Sequence, residues 1–374
     1  MKETLLIVAD SERDANMLYA VGMFAPDPFI YLNCGGRPLI VMSDLEIDRA
    51  RAQAPHCRVL SLSAYQRKLR AAGVKKTGSA RIIRQILREK KIRRVLVPEN
   101  FPFSLARDLK KLGIKLKPRA DIFPKREVKS ADEVKKISAA LTMAEVGMAE
   151  GMEVLRRAKT ARDRKLIYHG VPLTSERLRA VIDCAILQAN GLAANTIVAG
   201  GRQACDPHER GHGPLRAHEP IVIDIFPRSQ KTGYFGDITR TIVRGRASEA
   251  VRKLYDTVLQ GQKIAFGKIR AKVKTADVHK AVQKFFVQQG YKTGRRNGRM
   301  EGFFHGTGHG LGLEIHEAPR VSASSAEILR PGHVVTVEPG LYYPEIGGVR
   351  LEDVALVTAN GAHNLTRFEK VLEI

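Results

Sequence analysis

Residues 303–317 read Phe303-Phe304-His305-Gly306-Thr307-Gly308-His309-Gly310-Leu311-Gly312-Leu313-Glu314-Ile315-His316-Glu317. Three of the chain's 11 histidines fall in this stretch, interleaved with glycines. A neutral imidazole is the commonest protein ligand for a borderline metal ion. Glycine on either side of His309 allows unusual backbone dihedrals and lets a ligand or substrate come close. The competing reading is a glycine-rich surface loop that happens to hold histidines. Short motifs of this kind are decided by the rest of the chain.

That chain has 374 residues, too many for one ordinary core, so two domains are expected. Its 44% hydrophobic and 27% charged residues are the balance of a globular protein. No apolar run approaches the roughly 18 residues of a membrane span. Leu5-Leu6-Ile7-Val8-Ala9 is too short for a signal peptide and is ended by charge at Asp10, Glu12, Arg13 and Asp14. It reads as a first strand, and a cytoplasmic protein without a membrane partner is expected. Cys34, Cys57, Cys184 and Cys205 are scattered without a CxxC spacing, so buried free thiols are expected rather than a zinc knuckle or redox pair.

The net charge of +24 is unevenly placed. Residues 51–100 carry 14 Lys and Arg against 2 Asp and Glu, and residues 251–300 carry 13 against 2. A nucleic-acid footprint is one reading of such stretches. However, the basic residues fall at helical spacing, as in Arg81-Ile82-Ile83-Arg84-Gln85-Ile86-Leu87-Arg88, and no nucleic-acid-binding motif accompanies them. Solvated helix faces are the expectation, and nucleic acid is not expected as a partner.

Taken in order, residues 4–97 alternate between strand and helix patterns. Strands are expected at 4–9, 28–32, 38–42, 59–62 and 94–97, with helices at about 14–22, 44–53 and 79–91. A helix at 104–112 and a strand at 114–117 follow. This alternation predicts an N-terminal α/β domain with a mixed sheet over 1–125, with no catalytic cluster of its own. Pro118–Pro124 looks like a linker. Ser130 with Glu133 is a capping-box signature opening a long helix to about Leu155. A second domain over 126–374 is expected, with helices at 174–189, 248–267 and 275–290. Its strands are expected at 196–199, 220–226, 234–243, 334–338 and 348–357.

Four acids interrupt or border strands that read as buried: Asp224, Asp237, Glu338 and Glu352. An isolated buried carboxylate costs several kcal/mol, so each must be paired or bind a cation. Arg240 and Arg350 are available partners, but two arginines cannot neutralise four acids and Asp353 as well. Four carboxylates and a histidine suit a pair of divalent metals. Mixed oxygen and nitrogen donors favour Mn, Co or Zn over Ca.

The segments IDIF…GYFGDITRT, HGTGHGLGLEIHEAP, VVTVEPGLYY and GGVRLEDVALVT occur in that order. Together they closely resemble the pita-bread-fold metallopeptidases, the superfamily of methionine aminopeptidase, Xaa-Pro aminopeptidase and prolidase. The resemblance covers about 130–374. The N-terminal domain is similar to that of the Xaa-Pro aminopeptidase, prolidase and creatinase branch. It implies a catalytic pita-bread domain with two divalent metals per subunit, Mn ahead of Co or Zn. By this resemblance Asp224 is a terminal ligand of one metal, Asp237 and Glu352 bridge both, and His309 and Glu338 complete the other. A metal-activated water would be the nucleophile, with Glu338 passing its proton to the leaving amine. His305 and His316 resemble substrate-side histidines, and Arg350 an arginine that orients ligand carboxylates and borders the substrate. A further active-site histidine is matched by His208, with His212 as the fallback.

Two departures from the family pattern stand out. Asp224 and Asp237 are 13 positions apart (237 − 224) where the pattern has eleven, and Ile225-Phe226-Pro227-Arg228 replace its small residues. A longer hairpin, bulged to hold the excess, is expected to alter the pocket wall. The implied activity is hydrolysis of an Xaa-Pro bond at a peptide N-terminus or in a dipeptide, in a homodimer. The rivals are a different hydrolase or lyase reaction on the same metal scaffold, and a non-enzymatic nucleic-acid- or protein-binding relative.

Overall fold

The structure is a computed structural model and describes residues 3–374. The chain forms two compact units, one ending at Pro124 and the other beginning at Lys125.

The first unit is built on a six-stranded mixed sheet of order β4-β3-β2-β1-β5-β6. Its strands are β1 (Leu5–Ala9), β2 (Phe29–Asn33), β3 (Leu39–Met42), β4 (Arg58–Ser61), β5 (Arg94–Pro98) and β6 (Lys115–Arg119). β1 to β3 are antiparallel neighbours, whereas β4, β5 and β6 pair in parallel. Pro118, expected in a linker, lies in β6 at the sheet edge, where proline is tolerated. The helices are α1 (Ala15–Val21), α2 (Ile47–Gln53), α3 (Leu62–Ala71), α4 (Ser79–Glu89) and α5 (Phe103–Lys111). In α4, Ile82, Ile83, Ile86 and Leu87 are buried while Arg81, Arg84 and Arg88 face solvent. This basic stretch is thus the outer face of an amphipathic helix. α3 is absent from the sequence expectation. Leu62 reads as the end of a strand, but Ser61 accepts a hydrogen bond from the Ala64 amide at 3.1 Å and starts a helix there.

The second unit opens with α6 (Ala131–Arg157), and Ser130 and Glu133 form the expected capping box. α6 crosses α7 (Ser175–Gln188). At Gly147 an added Cβ would meet the Ile186 side chain at 2.8 Å, so this crossing requires a residue without one. Three short strands, β7 (Lys159–Thr160), β8 (Leu166–Tyr168) and β9 (Val171–Pro172), form a small sheet between them in sequence. β10 (Gly191–Leu192) pairs with β13 (Arg228–Ser229), while β11 (Ile197–Gly200), β12 (Ile221–Ile225) and β14 (Ile238–Ile242) make a three-stranded antiparallel sheet. Helices α6 and α7 share a core with this sheet, through Leu178, Ile182, Ile223 and Ile225 among others.

The arrangement is repeated further along. Helices α8 (Glu249–Lys268) and α9 (Thr275–Gln288) pack on a five-stranded sheet of order β18-β17-β19-β22-β23. Its strands are β17 (Gly308–Gly310), β18 (Glu317–Val321), β19 (Val334–Val337), β22 (Asp353–Val357) and β23 (Ala362–Asn364). β15 (Gly294–Arg296) and β16 (Arg299–Glu301) form a hairpin before it, and β20 (Gly340–Tyr343) and β21 (Gly347–Arg350) another within it. The apolar run 348–357, expected as one strand, is therefore two strands in different sheets, broken at Leu351-Glu352.

Candidate active site

β12 alternates as its sequence demands. Ile221, Ile223 and Ile225 enter the core, and Asp224 points the other way. In register, Asp224 stands between Ile197 of β11 and Thr239 of β14. The ladder continues to the bridge between Arg228 and Phe235, so Phe226 falls opposite Asp237. No bulge separates the two aspartates. The extra residues lie in the turn 229–234, where the Ser229 amide donates to the Tyr234 carbonyl. The expected bulge in this hairpin is thus corrected. Gly236, just before Asp237, is fixed by packing, because a Cβ there would lie 2.4 Å from the Ala140 carbonyl oxygen on α6.

His309 sits on β17, in a strand and not in a surface loop. Neither neighbouring glycine has a positive φ. A Cβ at Gly308 would lie 1.9 Å from the Thr336 carbonyl oxygen, and one at Gly310 would lie 2.2 Å from that of Ala318. The glycines therefore let three strands close on one another around the histidine. The His309 ring places Nδ1 3.1 Å from the Gly310 carbonyl, which can only accept, so the proton is on Nδ1. Nε2 is then a bare lone pair, and it faces Glu338 Oε1 at 3.3 Å and Asp237 Oδ2 at 3.7 Å. Burial, with His316 nearby, pushes the His309 pKa down to about 3.

Glu352 reaches the same point from the break between β21 and β22. Its amide donates to the Thr239 carbonyl at 3.0 Å, and Oε2 accepts from Thr239 Oγ1 at 2.7 Å. Ligand atoms of Asp237, His309 and Glu352 all lie within 4.8 Å of one another. Glu338 follows β19 and is tied by its amide to the Thr307 carbonyl at 2.8 Å. Burial and neighbouring acids hold the Asp237 and Glu352 carboxyls well above the usual carboxylate range. Burial lifts Glu338 to about 7 against the pull of Arg350.

The two arginines are already committed. Arg350 Nη2 donates to Asp224 Oδ2 at 2.7 Å, and Arg240 Nη2 to Asp353 Oδ1 at 2.9 Å. Among the described residues Asp237, Glu338 and Glu352 have no Lys or Arg ion pair. Asp224 Oδ1 and Glu352 Oε1 are buried without a hydrogen-bond partner. A bare imidazole nitrogen and carboxylate oxygens turned towards each other repel unless protons or a cation lie between them, and the raised carboxyl pKa values are the proton form of that demand. The donor set thus fits divalent metal.

These groups open into a cavity of about 840 Å³. His208, His305, His316, Arg350 and all five expected ligands line it, whereas His212 does not and its side chain is 73% exposed. His316 packs edge-on to His309 with ring centroids 4.4 Å apart. Its turn is clamped by Glu317, which pairs with Arg126 and with Lys129 at 2.7 Å. His305 donates from Nδ1 to the Gly306 carbonyl at 2.7 Å and accepts at Nε2 from Tyr342 Oη at 2.8 Å. Arg350 Nη1 donates to that hydroxyl at 3.1 Å, so both sides of its guanidinium are engaged. Phe226, in the departure noted after Asp224, does line the cavity wall, whereas Tyr342 and Arg320 are site residues that were not singled out from the sequence. The quoted GLYY motif was the one signal for Tyr342. Cys57 and Cys205 are buried as expected, but Cys184 is exposed.

Residues 135–359 match metallopeptidase family M24, and the chain belongs to that family. It is a peptidase of the pita-bread class, which sets aside the non-enzymatic reading. It is 30% identical over 283 residues to an Xaa-Pro dipeptidase from Pyrococcus horikoshii, with 74% of each chain covered. The fold is similar to an Xaa-Pro dipeptidase from Bacillus anthracis (TM-score 0.82, 23% identity, 100% and 95% of the two chains). It is similar also to an X-Pro aminopeptidase from Thermotoga maritima (TM-score 0.82, 22% identity, 99% and 97%). Among the described residues no helix is long and apolar enough to cross a membrane.

Proposed function

We propose that the chain is a dinuclear metal-dependent exopeptidase that hydrolyses Xaa-Pro bonds, with the dipeptide as its preferred substrate. The observation that carries the metal reading is the bare His309 Nε2 turned into a cluster of acids that lack cations. Asp224, Asp237, His309, Glu338 and Glu352 would hold two divalent ions, Mn ahead of Co or Zn. When bound, such ions lower the pKa of water and polarise a carbonyl. Glu338, held near 7, is poised to take a proton and deliver it to the proline nitrogen as the bond breaks. His316 and His208 reach the same cavity from two different segments and are placed to hydrogen-bond the peptide around the scissile carbonyl.

Arg320 favours the dipeptide over longer peptides. It lies on β18 and lines the cavity. A guanidinium there matches the free carboxylate of a C-terminal proline. The names of relatives such as the Pyrococcus Xaa-Pro dipeptidase agree with this choice. A homodimer in the cytoplasm remains part of the proposal, and sedimentation velocity tests the dimer.

The test is metal-stripped protein reloaded with Mn, Co or Zn and offered Ala-Pro, Ala-Pro-Ala and Met-Ala-Ala. Cleavage of Ala-Pro first, with two ions bound per chain, is expected. Glu338→Ala should lower kcat by about 10²–10⁴-fold. Metal-loaded protein that cleaves none of the three overturns the peptidase substrate. Preference for Ala-Pro-Ala makes the enzyme an aminopeptidase instead.

A further inference from the structure

Phe226 stands where the family pattern has a small residue, and its place follows from strand register. Asp224 and Phe226 are two apart on one strand and share a face. On the β14 side the unbroken ladder sets Phe226 opposite Asp237. On the other side the register shifts by one. Gly191 and Leu192 pair with Ser229 and Arg228, whereas Ile197 pairs with Asp224. The segment 193–196 that joins these two pairings is therefore one residue longer than 225–227 on the other strand. Asn195 lies in it with φ of 62°. Asn195, Ile197, Asp224, Phe226 and Asp237 all line the cavity. Phe226 is only partly buried, so its ring is the large apolar surface on this wall beside two of the acids.

The cavity has two differently built sides. Arg320, on β18, offers a cation to a carboxylate. The β11–β12–β14 wall carries Asp224 and Asp237, two of the candidate metal ligands beside which the scissile bond would lie. A dipeptide lying between them puts its first residue against the wall that holds Phe226. We propose that Phe226 is the residue against which the substrate's first side chain packs, making the enzyme selective for apolar first residues over glycine. This rests on the Xaa-Pro reading above.

Two experiments test it. The first compares kcat/KM for Leu-Pro and Gly-Pro. A preference for Leu-Pro of about tenfold is expected from apolar contact, and Phe226→Ala should cut that ratio at least about threefold. Any loss of metal binding in the variant affects both substrates and cancels in the ratio. An unchanged ratio overturns the proposal, as does a ratio that rises because the ring was a steric stop. The second uses Phe226→Trp. The chain has no tryptophan, so this variant has one reporter. L-leucine should shift its emission to the blue at concentrations where glycine does not. Emission indifferent to leucine overturns the proposal. If the wild type cleaves no Xaa-Pro dipeptide, the substrate reading has failed, and the tryptophan emission still decides the role of position 226.

Discussion

Glu352 and Asp353 are neighbours in sequence, 2% and 1% exposed, and they sit in opposite electrostatic surroundings. Asp353 is surrounded by donors. Arg240 reaches Oδ1, while Asn364 Nδ2 (2.8 Å) and Lys370 reach Oδ2. Arg240 also donates to the carbonyls of Thr239, Glu352, Phe368 and Glu369. No Lys or Arg side chain reaches the Glu352 carboxyl among the described residues; Thr239 donates to Oε2, and Oε1 is buried without a donor. One acid belongs to a balanced cluster that ties the segment after β23 to the β14 strand. The other belongs to an unbalanced cluster that holds together well only around added positive charge. Burial alone does not mark a functional acid, and the missing counter-charge does.

Three changes probe that contrast. The largest effect is expected from Arg240→Met, which strips Asp353 of its main partner and releases four carbonyls. It should cost about 3–5 kcal/mol in urea unfolding. A cost below about 1 kcal/mol would erase the difference between the clusters.

The unbalanced cluster should respond in the opposite sense. In metal-free protein the folded state keeps a proton on Glu338 up to about pH 7, whereas the unfolded chain loses it near its ordinary value of 4.5. Between these values the folded state binds more protons, so the Glu338 contribution to stability falls as pH rises. Glu338→Gln cannot ionise and escapes that loss. Its Tm advantage over the metal-free wild type should grow by about 2–4 °C between pH 5 and 7.5. A variant that becomes relatively less stable over this range would break the comparison. The smallest effect belongs to Lys370→Met. Lys370 is partly exposed and Arg240 remains, so the loss should be about 1 kcal/mol with metal content unchanged.

Much of this was legible in the sequence. The five candidate ligands were marked by acids in apolar runs and by the histidines of 305–316, and the long helix by its capping box. What was not legible depends on tertiary position. The run 348–357 is uniformly strand-like, and only its division between two sheets exposes the break that carries Glu352. The glycines beside His309 suggested free dihedrals, but they answer to neighbouring strands. His208 is favoured over His212 four positions on by the resemblance alone, and the physical reason, the course of the chain that turns His208 and not His212 into the cavity, is tertiary. Arg320 carried no spacing signal. α3 was hidden because its few apolar positions lie among Arg67, Lys68 and Arg70.

The break at Leu351-Glu352 also bears on the order of folding. The strand before it pairs with β20, and the strand after it with β19. Glu352 comes to face Asp224 and Asp237 only after both of those pairings and the β12–β14 ladder have formed. Contacts between such distant parts of the chain are the slow ones to establish. The five donors therefore come together late, and metal uptake during refolding should coincide with the final cooperative step.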